Sequence, residues 1–328
     1  MDILEVKDLT THFFMQEGVA RAVDNVSFTL TKGETLGLAG ESGCGKTTTA
    51  LSIMRLLPPG GRILNGKIIL DGEDLVEKTD REMKAIRWKK ISIIFQGAMN
   101  ALNPVIRVGD QVAEALIEKE KVPKEEAMRM TRSLFELVGL DSSRVTEYAH
   151  EFSGGMRQRV MIAMALACKP SIVIADEPVT ALDVVVQTKI LELIKDLQKK
   201  LDLSVILITH DLSVIAETCD RVAIMYAGKI AELGNVTDLY KNPWHPYTQA
   251  LITAFPSIAG QKKRFSSIPG DPPDLTSPPS GCRFHPRCPW QDETCRTQDP
   301  EYRSVGLDHY VACHPTERLR AKLRGERV

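Results

Sequence analysis

The sequence has almost no net charge and no long apolar run. Its 42 Lys and Arg residues balance 43 Asp and Glu residues, so the formal charge of the 328 residues is −1. Its longest apolar run, Val160 to Cys168, is too short to cross a bilayer. The first residues, MDILEVKD, have neither a basic region nor an apolar core. We therefore expect neither a broad nucleic-acid-binding surface nor a secretory signal. The chain is expected to be cytosolic and to reach a membrane only by docking on other subunits.

Cysteine is scarce until the tail, where it becomes concentrated. Three cysteines are spread over the first 281 residues, and four more follow at Cys282, Cys288, Cys295 and Cys313. In a reducing cytosol such a cluster indicates a metal site rather than a disulfide framework. Eight of the eighteen prolines fall between Pro269 and Pro300. The tail is therefore predicted to be an irregular appendage that needs a cross-link, such as a bound metal, to hold it together.

The pattern of the remaining residues predicts an α/β fold. Residues 4–39 are expected to form short strands, and a helix over about 45–57 follows a glycine-rich loop. The spacing of apolar residues over about 100–168 is helical. The apolar runs 171–175 and 204–209 are typical of strands buried on both faces of a parallel sheet, with a helix over about 185–200 between them.

A phosphate-binding loop lies between the first of these strands and the helix. Residues 40–48, GESGCGKTT, match the G-x-x-x-x-G-K-[ST] pattern in full. The glycines let backbone N–H groups face the phosphates, and the helix that follows directs its positive end at them. We predict that Lys46 reaches the β and γ phosphates and that the Thr47 hydroxyl ligates Mg²⁺. The predicted phosphate-binding residues are Gly40, Ser42, Gly43, Cys44, Gly45, Lys46, Thr47 and Thr48.

Two acids end the apolar strand at 171–175. Asp176 is predicted to hold Mg²⁺ and Glu177 to polarise the attacking water. His210 follows the next apolar strand, and parallel strands end at the same sheet edge. We therefore predict that His210 contacts the γ-phosphate.

The segment Phe152-Ser153-Gly154-Gly155-Met156-Arg157-Gln158-Arg159 resembles the signature motif of ABC (ATP-binding cassette) ATPases. Together with residues 40–48 and 176–177, it forms part of a set of family motifs that occur in the family's order. The resemblance implies a RecA-like core sheet, an antiparallel β subdomain, a helical signature subdomain over about 98–168, and a cassette domain over 1–255. Further residues take roles from the resemblance alone: Phe13 for adenine stacking, Gln96 in the Q-loop as a catalytic residue and Mg²⁺ ligand, Asp183 in the D-loop, and Ser153, Gly154 and Gly155 for ATP.

The charge of MgATP indicates that two chains share each nucleotide. The triphosphate carries about four negative charges, of which Mg²⁺ offsets two and Lys46 one. One helix N-terminus adds only about half a charge. A second N-terminus, at Ser153-Gly154-Gly155 of a partner ATPase, is predicted to complete the neutralisation. ATP would then join two ATPase subunits until hydrolysis, and Gln96 would report the γ-phosphate to the membrane subunits.

The tail resembles the C-terminal extension of oligopeptide and dipeptide importer ATPases, through the segments 245–247, 281–289 and 311–314. This subfamily resemblance implies an ATPase that powers import of di- or oligopeptides, at the cytoplasmic face of the cell membrane. Its implied partners are two membrane-spanning subunits, a second ABC ATPase and an extracytoplasmic solute-binding protein, with no nucleic acid. The alternatives are a nickel-importing relative or an ABC ATPase of DNA repair or translation.

The four tail cysteines are predicted to bind one [4Fe-4S] cluster. Four thiolates suit either a cubane cluster or zinc. The gaps of five, six and seventeen residues lack the CxxC pairs that are usual at zinc sites. Zinc, with help from His285, His309 or His314, and unligated cysteines stay open as alternatives. Because this cysteine site in the extension, residues 256–328, is remote in sequence from the ATP motifs, its role is expected to be structural. Losing the site is expected to disorder the tail and to leave ATP binding intact.

Overall fold

The computed structural model describes residues 1–97, 101–254 and 268–314. By its contacts the chain forms two compact units. The first unit contains residues 1–3, 30–35 and 77–208, and the second contains residues 4–29, 36–76 and those from 209 onward. This division runs through the predicted cassette domain, so the boundary at 255/256 stays a prediction. Within the described residues, no helix is both long and apolar enough to cross a membrane.

The first unit contains three parallel strands in the order β8-β7-β6. They are β6 (Ile91–Ile94), β7 (Ile172–Asp176) and β8 (Ser204–Thr209). Strands β7 and β8 are buried along their whole length, as their continuous apolar sequence predicts. Asp176 lies opposite Ile208 in the ladder, so β7 and β8 end at the same edge.

The helices of the first unit are α2 (Asp80–Ile86), α3 (Val108–Glu120), α4 (Lys124–Leu137), α5 (Gly154–Leu166) and α6 (Val184–Leu201). Helices α3 to α5 occupy the predicted helical segment, whose residues 98–100 lie outside the described part. Ala113 and Leu116 of α3 pack with Ala127 of α4 in a small buried core. Two of the helices have side-chain N-caps. The Ser153 side chain accepts a hydrogen bond from Met156 N at the start of α5, and the Asp183 side chain accepts one from Val186 N at the start of α6.

The second unit contains most of an antiparallel sheet in the order β2-β1-β4-β5. Its strands are β1 (Asp2–Met15), β2 (Gly18–Thr31), β4 (Gly61–Leu70) and β5 (Glu73–Asp74). The prediction of short strands over residues 4–39 is wrong for β1 and β2, which have 14 residues each. Register shifts in the β1–β4 ladder between Lys7 and Thr11 let one strand continue through this irregularity.

The second unit also contains five strands in the order β3-β9-β10-β12-β11. They are β3 (Thr35–Ala39), β9 (Arg221–Tyr226), β10 (Lys229–Asn235), β11 (Tyr302–Gly306) and β12 (His309–Ala312). Its helices are α1 (Lys46–Ile53), α7 (Leu212–Thr218), α8 (Val236–Lys241), α9 (Pro246–Ala254) and α10 (Glu293–Thr297). Strand β3 runs parallel to β9 and leads into the loop before α1.

The C-terminal extension is more regular than its proline content predicts. Strand β12 pairs with β10, where Val311 lies opposite Glu232, and β11 pairs with β12. The expectation of an irregular appendage is therefore wrong for residues 302–312. Neither β11 nor β12 contains a proline, so the backbone N–H groups of both strands stay available for pairing.

Candidate functional site

The phosphate loop connects β3 to α1 in the second unit. Gly45 precedes α1 in a left-handed conformation, and no acidic residue occurs in the first turn of the helix. Lys46 is buried, and its Nζ donates to the carbonyl oxygens of Gly40 at 2.8 Å and Glu41 at 3.0 Å. The loop thus has the strand, turn and helix that its sequence predicts, with the lysine folded over its own backbone. This amino group can exchange two carbonyl oxygens for phosphate oxygens when ATP binds.

Cys44 places a thiol beside that lysine. Its Sγ lies 3.7 Å from Lys46 Nζ. Burial raises the pKa of the thiol, and the neighbouring Lys46 charge opposes this only in part. The Cys44 carbonyl accepts from Gly228 N at 2.8 Å. The loop is therefore anchored by its backbone to the turn between β9 and β10.

Glu177 and Gln96 contact each other in the first unit. Gln96 Nε2 donates to Glu177 Oε2 at 2.9 Å, and the Thr180 hydroxyl donates to the same oxygen at 2.9 Å. Glu177 has φ of 45°, a left-handed conformation that costs a non-glycine residue about 1 kcal/mol. Its N–H donates to Ile208 O at 2.9 Å, which helps to stabilise this conformation. Asp176, the last residue of β7, is 2% exposed.

The signature and D-loop residues lie at the starts of two neighbouring helices in the first unit. Ser153 is the N-cap of α5, and Gly154 and Gly155 are its first two residues. A Cβ at Gly155 would lie 2.5 Å from Val186 Cγ1 of α6, so only glycine permits this approach. The N-terminus of α5 has no acidic residue in its first turn. It therefore offers the positive helix end that the charge argument requires.

Two predicted contacts lie in the second unit. His210 follows β8 and is exposed, and Asp211 begins α7 as its N-cap. Phe13 lies opposite Gly61 in the β1–β4 ladder, and a Cβ at Gly61 would come 2.8 Å from the Phe13 ring. The absent side chain leaves room for the ring. The roles of both residues stay predictions.

The four tail cysteines converge although Cys282 and Cys313 are 31 positions apart. Cys282 N donates to Cys295 O at 2.8 Å. Burial raises the pKa of Cys282 to about 12 and that of Cys288 to about 11. The pKa of Cys313 is also raised, first by burial and then by the other three thiols. The four thiols thus lie in one part of the extension, near enough for the other three to influence the pKa of Cys313.

This convergence does not amount to a metal site. In the part of the chain that the structure describes, no group of three or more His, Cys, Asp or Glu side chains has an arrangement that could hold a metal ion. The predicted [4Fe-4S] or zinc site is therefore not confirmed. All seven cysteines are free thiols.

The extension contacts the phosphate loop, which the sequence analysis did not foresee. Arg287 donates to both carboxylate oxygens of Glu41, at 2.6 and 3.0 Å. Tyr247 of α9, just before the extension, also binds the loop: its Oη accepts from Glu41 N at 2.9 Å. The extension is therefore remote from the phosphate loop in sequence but contacts it in space. Contacts between residues so far apart in the chain have no local sequence signal.

Comparisons with known proteins agree with this geometry. Residues 23–180 match the ABC transporter family, and residues 231–295 match the oligopeptide/dipeptide transporter C-terminal region. An oligopeptide transport ATP-binding protein of Bacillus subtilis is 47% identical, with 98% of this chain and 94% of that protein covered. A dipeptide transport ATP-binding protein of the same organism is 48% identical, with 95% and 94% covered.

Solved structures of ABC cassettes have the same fold. One is the dimeric ATP-binding cassette MJ0796 in a post-hydrolysis state bound to ADP and Pi. Its TM-score is 0.64 at 29% identity, with 71% of this chain and 98% of that chain covered. Another is cbiO1 from Clostridium perfringens, part of the ABC transporter complex cbiONQ, with TM-score 0.64 at 25% identity and coverage of 73% and 91%. The predicted ABC ATPase fold is thus confirmed, and the chain is an ATPase that belongs to the family of oligopeptide and dipeptide transport ATP-binding proteins of ABC transporters.

Proposed function

We propose that this ATPase powers the import of di- or oligopeptides across a membrane. The observation that carries the proposal is the similarity over nearly the whole chain, extension included, to proteins named for oligopeptide and dipeptide transport. A nickel-importing relative is the alternative within the same subfamily. The proposed location is the cytoplasmic face of the membrane, where the chain docks on two membrane-spanning subunits.

Peptide uptake by cells that lack this chain tests the substrate class. Loss of growth on a di- or tripeptide that supplies a required amino acid, restored by the wild-type chain and not by Lys46→Ala, would support peptide import. Normal peptide growth combined with a loss of nickel accumulation would refute it in favour of nickel.

In the proposed mechanism, each catalytic side chain has one task. Lys46 and the loop amides bind the phosphates, and Glu177 orients the attacking water and takes up its proton. The contacts of Glu177 with Gln96 and Thr180 support this role, because they hold its carboxylate in one orientation. Mg²⁺ supplies charge neutralisation between the β and γ phosphates when bound. Its proposed ligands are Thr47, Gln96 and Asp176.

A second ATPase subunit, identical or homologous, is proposed to contribute its own Ser153-Gly154-Gly155 helix to the nucleotide. The dimeric state of the similar cassette MJ0796 supports this arrangement. Lys46→Ala should weaken ATP binding by the isolated subunit, because it removes a charge paired with phosphate. Ser153→Arg should leave that binding intact and abolish ATP-dependent dimerisation in size-exclusion chromatography. A Ser153→Arg subunit that loses monomer binding as severely as Lys46→Ala would contradict the partner-chain role.

We further propose that the four tail cysteines bind a [4Fe-4S] cluster. The number of cysteines in the extension supports it, because four thiolates are the ligand set of a cubane cluster. Anaerobic purification followed by iron, sulfide and zinc analysis and a visible spectrum tests the proposal. About four iron and four sulfide per chain are expected. Stoichiometric zinc, or a colourless anaerobic protein without metal, would refute the cluster.

A further inference from the structure

Glu41 occupies a position that the phosphate-loop pattern leaves open. The pattern specifies glycine at Gly40 and Gly45, and then Lys46 and a hydroxyl residue. It requires nothing of the side chain between Gly40 and Ser42. Nevertheless, Glu41 is bound through its side chain, its N–H and its carbonyl group. These contacts assign it a task that phosphate binding alone does not explain.

The side chain of Glu41 is bound by a buried arginine of the extension. Arg287 Nη1 lies 2.6 Å from Glu41 Oε2, and Nη2 lies 3.0 Å from Oε1, which is a two-pronged ion pair. The Arg287 side chain is 5% exposed and that of Glu41 is 25% exposed. Arg287 Nε also donates to Pro269 O at 2.9 Å, and its guanidinium lies over the Tyr226 ring. Pro269 of the extension and Tyr226 of β9 thus set the position of the guanidinium.

The backbone of Glu41 is bound on both sides. Its N–H donates to Tyr247 Oη at 2.9 Å, and its carbonyl accepts from Lys46 Nζ at 3.0 Å. Tyr247 is fully buried, with its ring 4.6 Å from that of Tyr226 and 5.3 Å from that of Phe284. Because Phe284 belongs to the extension, the same aromatic cluster orients the hydroxyl that holds the loop.

We propose that Arg287 and Tyr247 are positioning residues of the ATP site, through which the C-terminal extension sets the affinity of the phosphate loop for ATP. They hold Glu41 in one backbone conformation and so keep the loop from Gly40 to Lys46 in the shape proposed to bind the phosphates. A loop already held in this conformation loses less conformational entropy when ATP binds. Arg287 also neutralises a carboxylate that would otherwise lie, as an unpaired negative charge, one residue from the phosphate cradle. The inference rests on the proposal that residues 40–48 bind the phosphates.

The two contributions predict an unusual pattern in a double-mutant cycle. Arg287→Gln should weaken ATP binding by about tenfold, because it both frees the loop and leaves the Glu41 charge unpaired. Glu41→Gln should weaken it by only about threefold, since the loop is loosened without an unpaired charge. The double variant should resemble Glu41→Gln. Arg287→Lys keeps the positive charge and loses the two parallel hydrogen bonds to the carboxylate, so its affinity for ATP should lie between those of wild type and Arg287→Gln.

The matched control is Asp299→Asn. Asp299 also belongs to the extension and forms an ion pair with Lys229 of β10. Neither partner lies in the phosphate loop, so this variant removes an attachment of the extension and should keep wild-type affinity for ATP. It therefore separates positioning of the loop from general packing of the extension.

The test uses the full chain and measures the ATP dissociation constant, the KM and kcat of hydrolysis, and the thermal unfolding midpoint. The expected result is a raised Kd and KM for Arg287→Gln, with kcat within about twofold of wild type. Wild-type affinity in Arg287→Gln, or an equal loss in Asp299→Asn, would overturn the proposal. If Arg287→Gln does not fold, Glu41→Gln decides, and wild-type affinity there overturns the proposal as well. Lys46→Ala distinguishes failure of this proposal from failure of the proposed ATP site. Normal ATP binding in that variant would refute the assignment of residues 40–48 as the phosphate loop.

Discussion

Replacing single glycines of the phosphate loop by alanine should have sharply different effects on stability. Gly40 has φ of 148°, and a Cβ there would lie 2.2 Å from Met225 O and 2.8 Å from Cys44 Sγ. Gly43 has φ of 77°, and a Cβ there would meet no protein atom within 4 Å. The two positions share a loop and a positive φ and differ in the space around them. They therefore form a matched pair.

The magnitudes follow from these surroundings. At Gly43 an alanine meets only the left-handed penalty of about 1 kcal/mol, and a lower unfolded-state entropy offsets about half of it. At Gly40 the Met225 carbonyl would have to move by about 1 Å. Met225 is buried in β9, which is paired with β10, so this movement is resisted. We expect Gly40→Ala to cost about 2 to 4 kcal/mol.

The assay is urea unfolding of the full chain without nucleotide, so that contacts of the new methyl group with ATP play no part. Gly43→Ala should unfold within about 1 kcal/mol of wild type. Gly40→Ala should unfold at clearly lower urea, with an unchanged slope. Equal losses in the two variants would refute the argument from close approach, and a Gly40→Ala protein as stable as wild type would refute the loop geometry.

Three further predictions concern catalysis, the signature helix and acid stability. Glu177→Gln should abolish ATP turnover and preserve ATP binding, since the phosphate loop is unchanged, and near-normal hydrolysis by this variant would exclude Glu177 as the base. Gly155→Val should separate α5 from Val186 of α6 and lower the unfolding midpoint, and an unchanged midpoint would contradict this contact. Burial lowers the pKa of His245 to about 3, with a smaller opposing effect from a hydrogen bond to Ala312. The native ring is therefore neutral, so the free energy of unfolding should fall by about 1.4 kcal/mol per pH unit below about pH 6.5 and down to about pH 3. Urea titrations at pH 7, 6 and 5 check this, and His245→Gln should flatten the slope; an equal slope in both proteins would contradict it.

The sequence by itself determined the ATPase chemistry. The phosphate loop is a contiguous run of residues, and the strand before it and helix after it come from the same stretch of chain. The acids Asp176 and Glu177 end a strand whose apolar composition already predicts burial. The chemistry in such motifs depends on local backbone geometry, so short-range pattern is sufficient to identify it. The parallel pairing of β7 and β8 likewise follows from two apolar runs with a helix between them.

Only the tertiary structure showed that the extension contacts the phosphate loop. Glu41 and Arg287 are 246 positions apart, and no sequence pattern at either residue predicts that they form an ion pair. Strand β12 forms by pairing with the edge strand β10. The amino-acid composition of a proline-rich segment does not predict this pairing. Side-chain pairing over such distances depends on how the whole chain packs, since each partner is one of many charged residues until the fold selects it.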